Sequence, residues 1–270
     1  MGRVGGVNGC RQSLRTLVAL GLVVLVAEAR GVEPRELESY RTTDDNPAFA
    51  YRAIQTPGRR HGERLPLIVF LHGSGQNGTD NVSQLGGYGN GSLELVDAAV
   101  VGGVPLVYAA PQVADDYWPP DQVVAVVRDA IARFPVDPRR VIVTGISDGG
   151  TGVWAALKAY PTCFAAGVPM SGMTELAGLA SIRDVPQWIF HGARDNDTDI
   201  DSGYGGAMLG SRTVVAALRA LGSTPRYTEY ADGMHVIWHQ AYGEDDLLPW
   251  LMNQRLRRPP CAAFTRGASS

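Results

Sequence analysis

The run Gly145-Ile146-Ser147-Asp148-Gly149 constrains this chain more than any other stretch. It follows an apolar, β-branched segment, residues 141–144, and opens a segment, residues 150–160, that reads as helix. A serine at the apex of a sharp strand-to-helix turn is the setting of a nucleophile elbow. Such a turn strains the serine backbone and brings strand and helix close together, so the flanking residues must be small. Gly145 and Gly149 meet that requirement. Because Gly-x-Ser-x-Gly recurs by chance, the reading depends on whether partners for Ser147 occur elsewhere in the chain.

The bulk properties leave room for one such site in one domain. The chain has 270 residues, 45% hydrophobic and 19% charged, which suffices for a single domain with a sizeable core. A net charge of −3 argues against a nucleic-acid partner. At the N-terminus, Arg3, Arg11 and Arg15 precede an apolar run over 17–27, followed by Ala27-Glu28-Ala29. Basic residues, an apolar run and a small-x-small site form the pattern of a secretory signal peptide. The run is well short of the roughly 20 residues of a membrane span. Residues 1–29 are therefore read as a signal peptide, 30–258 as the domain and 259–270 as a flexible tail. The mature chain is expected to be secreted or periplasmic, with no membrane contact. Export permits a disulfide between Cys163 and Cys261, although the sequence does not show that the two approach.

Apolar strands alternate with helical segments, the pattern of an α/β fold with a mostly parallel sheet. Strands are read at 51–54, 67–71, 106–110, 141–144, 165–169, 187–190 and 226–230. Amphipathic spacing places helices at 121–134, 211–221 and 244–257, with Asp121 as an N-cap and Gly222 as a C-terminal stop. Three longer connections, 73–93, 112–120 and 195–210, follow strand ends, where open α/β sheets place their ligand sites.

A serine hydroxyl needs an adjacent base, itself held by a third group. In the order nucleophile, acid, histidine, the base should lie in the loop after the last strand. His235 is there and is the candidate base; His239 is the competitor in the same loop. The acid should follow the strand at 187–190, in the loop His191-Gly192-Ala193-Arg194-Asp195-Asn196-Asp197-Thr198-Asp199. Asp195 is the better placed, with Asp197 the alternative. The alternating aspartates resemble a calcium loop, but Ile200 stands where that pattern needs glycine, and no metal site is assigned. Oxyanion donors are expected from the Asp148 amide and from the Ser74 amide in His72-Gly73-Ser74-Gly75. The Asp148 side chain is read as structural and pointing away from the site. Trp118 is a candidate for lining the substrate pocket, and Trp238 is read as core packing. This chemistry requires no cofactor.

Taken as a set, these residues resemble a known family. The oxyanion strand 65–73 with Gly78-Thr79-Asp80-Asn81, Ala110-Pro111-Gln112 with Trp118, residues 136–150, Phe190-His191-Gly192-Ala193-Arg194-Asp195, and His235-Val236-Ile237-Trp238 with Ala241-Tyr242 carry the resemblance. The chain resembles secreted α/β-hydrolase esterases of the prolyl-oligopeptidase-like group, related to polyhydroxybutyrate-depolymerase-type and feruloyl esterases. The resemblance implies an α/β-hydrolase fold with no large lid and a triad of Ser147, Asp195 and His235. It further implies hydrolysis of short-chain or aromatic acyl esters, extending to polymer or polysaccharide side groups. Two other readings stay open. One is a serine peptidase of prolyl-oligopeptidase type, though this chain has no room for the usual gating propeller. The other is a non-catalytic, hydrolase-like binding protein. The chain departs from the family at Asp148, where Met is common, and after Asp195, where Asn-Asp-Thr replaces the usual Val-Pro context.

Overall fold

Continuous apolar runs predict strands buried on both faces, and the computed structural model bears this out. It describes residues 31–43, 48–86 and 90–265. The segment read as a signal peptide, 1–29, lies outside the described residues, as do 266–270 of the tail. Among the described residues no helix is long and apolar enough to cross a membrane.

The strands are β1 (Glu38–Arg41), β2 (Ala50–Gln55), β3 (Leu65–Leu71), β4 (Val107–Pro111), β5 (Val136–Ile146), β6 (Ala166–Met170), β7 (Met173–Thr174), β8 (Trp188–Gly192), β9 (Leu209–Gly210) and β10 (Arg226–Tyr230). The helices are α1 (Ser92–Val101), α2 (Pro120–Arg133), α3 (Asp148–Ala159), α4 (Ser211–Ala220), α5 (Trp238–Tyr242), α6 (Leu247–Met252) and α7 (Ala262–Thr265). The main sheet runs β1-β2-β4-β3-β5-β6-β8-β10. Pairing is antiparallel at β1-β2 and β2-β4 and parallel across the rest. The C-terminal ends of β3, β5, β8 and β10 therefore share one edge.

Period-2 alternation sends side chains to two cores. Leu67, Val69, Leu71, Val141 and Val143 face one cluster, with residues of α2, α3, α4 and α7. Ile68, Phe70 and Ile142 face the other, with residues of α1, α5 and α6. Helix α2 begins at Pro120, which suits the first turn because proline lacks the N–H that would go unpartnered there; Asp121 lies in that first turn rather than at the cap.

Three segments differ from the sequence reading. Residues 92–101, to which no element was assigned, form helix α1, whose apolar residues show little helical periodicity. The helix read at 244–257 is only the short α6, Leu247–Met252, and α5, Trp238–Tyr242, precedes it where no helix was read. The tail is ordered further than expected. Cys261 is bridged to Cys163, α7 follows, and Phe264 is buried edge-on against Phe164 with centroids 5.7 Å apart.

The bridge links residues 98 apart in sequence. Closing a loop of that size stabilises by about 4.7 kcal/mol in the chain-entropy model. The variant Cys261→Ser, or reduction of the wild type, should lower the melting temperature by on the order of 10 °C, read by calorimetry with and without reductant.

Candidate active site

The elbow forms where β5 meets α3. Ser147 sits at φ 53°, ψ −118°, a region disfavoured for a side-chain-bearing residue. Its amide donates to Met170 O at 2.9 Å and its carbonyl accepts from Thr151 N at 3.1 Å, so β6 and α3 hold the strained turn from both sides. The glycines are there for close approach. A Cβ on Gly149 would lie 2.0 Å from Leu71 O, and one on Gly145 would lie 2.4 Å from Gly149 O.

The three predicted partners meet at the strand ends. Ser147 Oγ lies 2.8 Å from His235 Nε2, and His235 Nδ1 lies 2.8 Å from Asp195 Oδ2. Of the two candidate acids, Asp195 is the one that meets the histidine. Asp197 instead gives its amide to Asp195 Oδ1 and lines the cleft. His239 is exposed and pairs with Glu94. Burial works against the charge of Asp195. Hydrogen bonding from His191 and His235 and from the Thr198 amide outweighs it and holds the carboxyl well below the usual range.

The loops carrying acid and base are tied to one another. Ala193 N donates to Tyr230 O and Arg194 N to Gly233 O, while Ser171 Oγ donates to His235 O at 2.9 Å. Asp199 closes its own turn onto Asp201 N, Ser202 N and Ser202 Oγ, and Asp201 pairs with Arg212. The alternating aspartates thus serve a turn, an ion pair and the site.

On the oxyanion side, the Gly73 amide is taken by Gln76 Oε1 at 3.1 Å, which leaves Ser74 as the next amide of the loop. The Asp148 side chain is half-buried and is not among the residues that line the cleft. Burial raises its pKa first of all, and the charge of Asp116 raises it further; His235 and the Ser74 backbone oppose the rise.

Trp118 corrects the sequence reading. It does not line the cleft but is buried, donating Nε1–H to His72 O at 3.0 Å, with its ring edge-on to His72. The reason lies across the contact: Gly152 of α3 has no Cβ, and one there would come within 2.7 Å of the indole. Trp238 is buried in the second core cluster, as the sequence reading has it, and its ring also packs edge-on against His235 at 5.6 Å and borders the cleft. That cleft, of about 540 Å³, has Ser74 and Gly75 on the oxyanion side. Asn196, Asp197 and the exposed Tyr204 line the acid-loop side. The sequence reading had not singled out Tyr204, an isolated aromatic in a Gly-rich loop.

A model of the prolyl oligopeptidase family matches residues 114–203, a span that includes the elbow and Asp195. Among solved structures, a thermostable esterase is 26% identical with a TM-score of 0.72, covering 82% of this chain and 64% of that one. The acylaminoacyl peptidase of Pyrococcus horikoshii is 15% identical with a TM-score of 0.58, covering 83% of this chain and 42% of that one. Dipeptidyl peptidase 4 of Porphyromonas gingivalis is 12% identical with a TM-score of 0.61, covering 81% of this chain and 35% of that one. No protein with a curated description matches. The fold is the α/β-hydrolase fold. This chain spans just under two thirds of the esterase and less than half of either peptidase.

Within this α/β-hydrolase, the two acid candidates separate by substitution. Asp195→Asn should lower kcat by about 10³–10⁴-fold, because the wrong imidazole tautomer is then favoured. Asp197→Asn should stay within about threefold of wild type, both read with a chromogenic ester. Asp148 gives a stability test. A carboxyl whose folded pKa is raised contributes stability that is fully present at acid pH and lost as pH rises through the folded value. Asp148→Asn should therefore melt higher than wild type at pH 7, by on the order of 2 °C, with the difference vanishing in acid below the usual carboxylate range.

Proposed function

We propose that this chain is a secreted serine esterase that cleaves carboxylic esters through an acyl-enzyme. The observation that carries the reading is the continuous relay from Ser147 through His235 to Asp195, both links 2.8 Å, opening on a solvent-facing cleft. Ser147 Oγ attacks the ester carbonyl as His235 Nε2 takes its proton, and the carbonyl π electrons move onto oxygen. The imidazolium is steadied by Asp195 and returns that proton to the leaving alcohol as the C–O bond breaks. Water, deprotonated by the same imidazole, then hydrolyses the acyl-serine. The oxyanion forms beside the N-terminus of α3, whose dipole and Asp148 amide favour negative charge there, with the Ser74 amide as second donor.

Several features support the finer points. The thermostable esterase is more similar to this chain than the two peptidases are, which favours an ester over an amide. Only a short interval separates β6 from β8, with no helical lid inserted there, which suits acyl groups on extended or polymeric alcohols. The N-terminal export pattern and the Cys163–Cys261 bridge both fit an oxidising compartment. A peptidase using the same relay is the alternative favoured by the family match.

Purified protein offered p-nitrophenyl acetate and alanyl-p-nitroanilide should cleave the ester far faster. Amide cleavage exceeding ester cleavage would reverse the assignment in favour of the peptidase. Ser147→Ala should lose at least about 10⁴-fold in kcat and should no longer react with a fluorophosphonate. A labelled Ser147→Ala protein would move the nucleophile elsewhere.

A further inference from the structure

The mechanism above leaves the fully buried imidazole of His191 unused. His191, at the end of β8, lies four residues before Asp195, and its side chain is completely shielded from solvent. Its Nε2 is 2.9 Å from Thr198 O and 3.1 Å from Asp195 Oδ2, the same carboxylate oxygen that receives His235 Nδ1. Its Nδ1 is 2.7 Å from the hydroxyl of Ser211, the first residue of α4.

The tautomer follows from the network. Thr198 O can only accept, so Nε2 carries a hydrogen. That hydrogen is aimed at Thr198 O, and Asp195 Oδ2 is its off-axis second acceptor. Ser211 Oγ has one hydrogen and two acceptors in reach, His191 Nδ1 at 2.7 Å and Gly172 O at 3.4 Å. The shorter contact takes it, so Nδ1 is the acceptor and the ring is the neutral Nε2–H form.

Thr198 links this imidazole to the acid a second time. Its amide donates to Asp195 Oδ1 at 2.8 Å while its carbonyl is held by His191. His191 therefore grips the Asp195–Thr198 turn from the side opposite His235. We propose that His191, with its tautomer set by Ser211, is a positioning residue for the triad: it fixes the Asp195 carboxylate and draws off part of its charge from His235.

The consequence is electrostatic. A carboxylate sharing Oδ2 with a second N–H offers imidazolium at His235 less negative charge than an unshared one does. The other charged groups near the pair are few. Asp148 faces His235 across the elbow, and Glu229 on β10, paired with Arg212 of α4, faces His191. None of them is altered by substitution at position 191.

The inference rests on the hydrolase reading for its kinetics but has one readout that does not. Nitrogen-15 chemical shifts of His191 in the wild-type protein should report the Nε2–H tautomer; an Nδ1–H tautomer overturns the proposal whatever the substrate is. In kinetics with p-nitrophenyl acetate, His191→Leu should lower kcat by about tenfold with KM little changed. The acid limb of its kcat/KM profile should move to higher pH by about half a unit. His191→Gln presents an amide N–H at the Nε2 position and should restore both to within about threefold of wild type. Ser211→Ala should shift the acid limb in the same direction by a smaller amount. A folded His191→Leu protein with wild-type kcat and acid limb overturns the proposal. So does a His191→Gln protein as impaired as His191→Leu, since packing alone would then account for the loss. If His191→Leu does not fold, an unshifted acid limb in Ser211→Ala overturns it instead. A wild-type protein inactive on esters and amides, yet showing the Nε2–H tautomer, would count against the hydrolase reading and leave the geometric assignment standing.

Discussion

The approach of α3 to the central strands is the constraint on which the rest of the site depends. No side chain fits between Gly149 and Leu71 O, or between Gly145 and Gly149. That contact lets the chain turn from β5 into α3 within one strained residue and points the Ser147 hydroxyl out of the sheet edge. The strain at Ser147 persists because β3, β6 and α3 over-determine the turn through packing and through the Met170 and Thr151 hydrogen bonds. A looser junction would relax the backbone and carry the hydroxyl away from His235.

A second requirement follows from chemistry rather than packing. Asp195 is a charge shielded from solvent, and such a group stays ionised only if donors surround it. The amides of Asp197 and Thr198 occupy one oxygen, and two imidazoles share the other. The same donors orient the carboxylate toward His235, so electrostatic satisfaction and catalytic alignment are one arrangement. Asp148 is the opposite case: it is a half-buried carboxylate whose pKa is raised, first of all by burial.

Much of this was legible in the residues. The buried central strands contain apolar runs in which successive side chains must both find cover, and the runs at 67–71 and 141–144 lie within β3 and β5. Ser147 and His235 follow from their positions after strands in the required order. Helix α1 was not legible, because its apolar residues show little helical period. The burial of Trp118 was not legible either, since it depends on Gly152 lying opposite the indole, and neither was the edge-on contact of Trp238 with His235.

By itself the sequence determined the parallel α/β architecture, the elbow and the order of nucleophile, acid and base, since these depend on local turn geometry and on periodicity along the chain. Tertiary structure alone decided that Asp195 rather than Asp197 meets the histidine, that Trp118 is buried under α3, that Cys163 reaches Cys261, and that a second imidazole lies against Asp195. Those outcomes are set by which loops the parallel sheet brings to one edge. Residues 40 and 88 positions apart, as in the two triad links, carry no trace of their contact in local sequence. Distance in space, not along the chain, selects which polar groups satisfy one another.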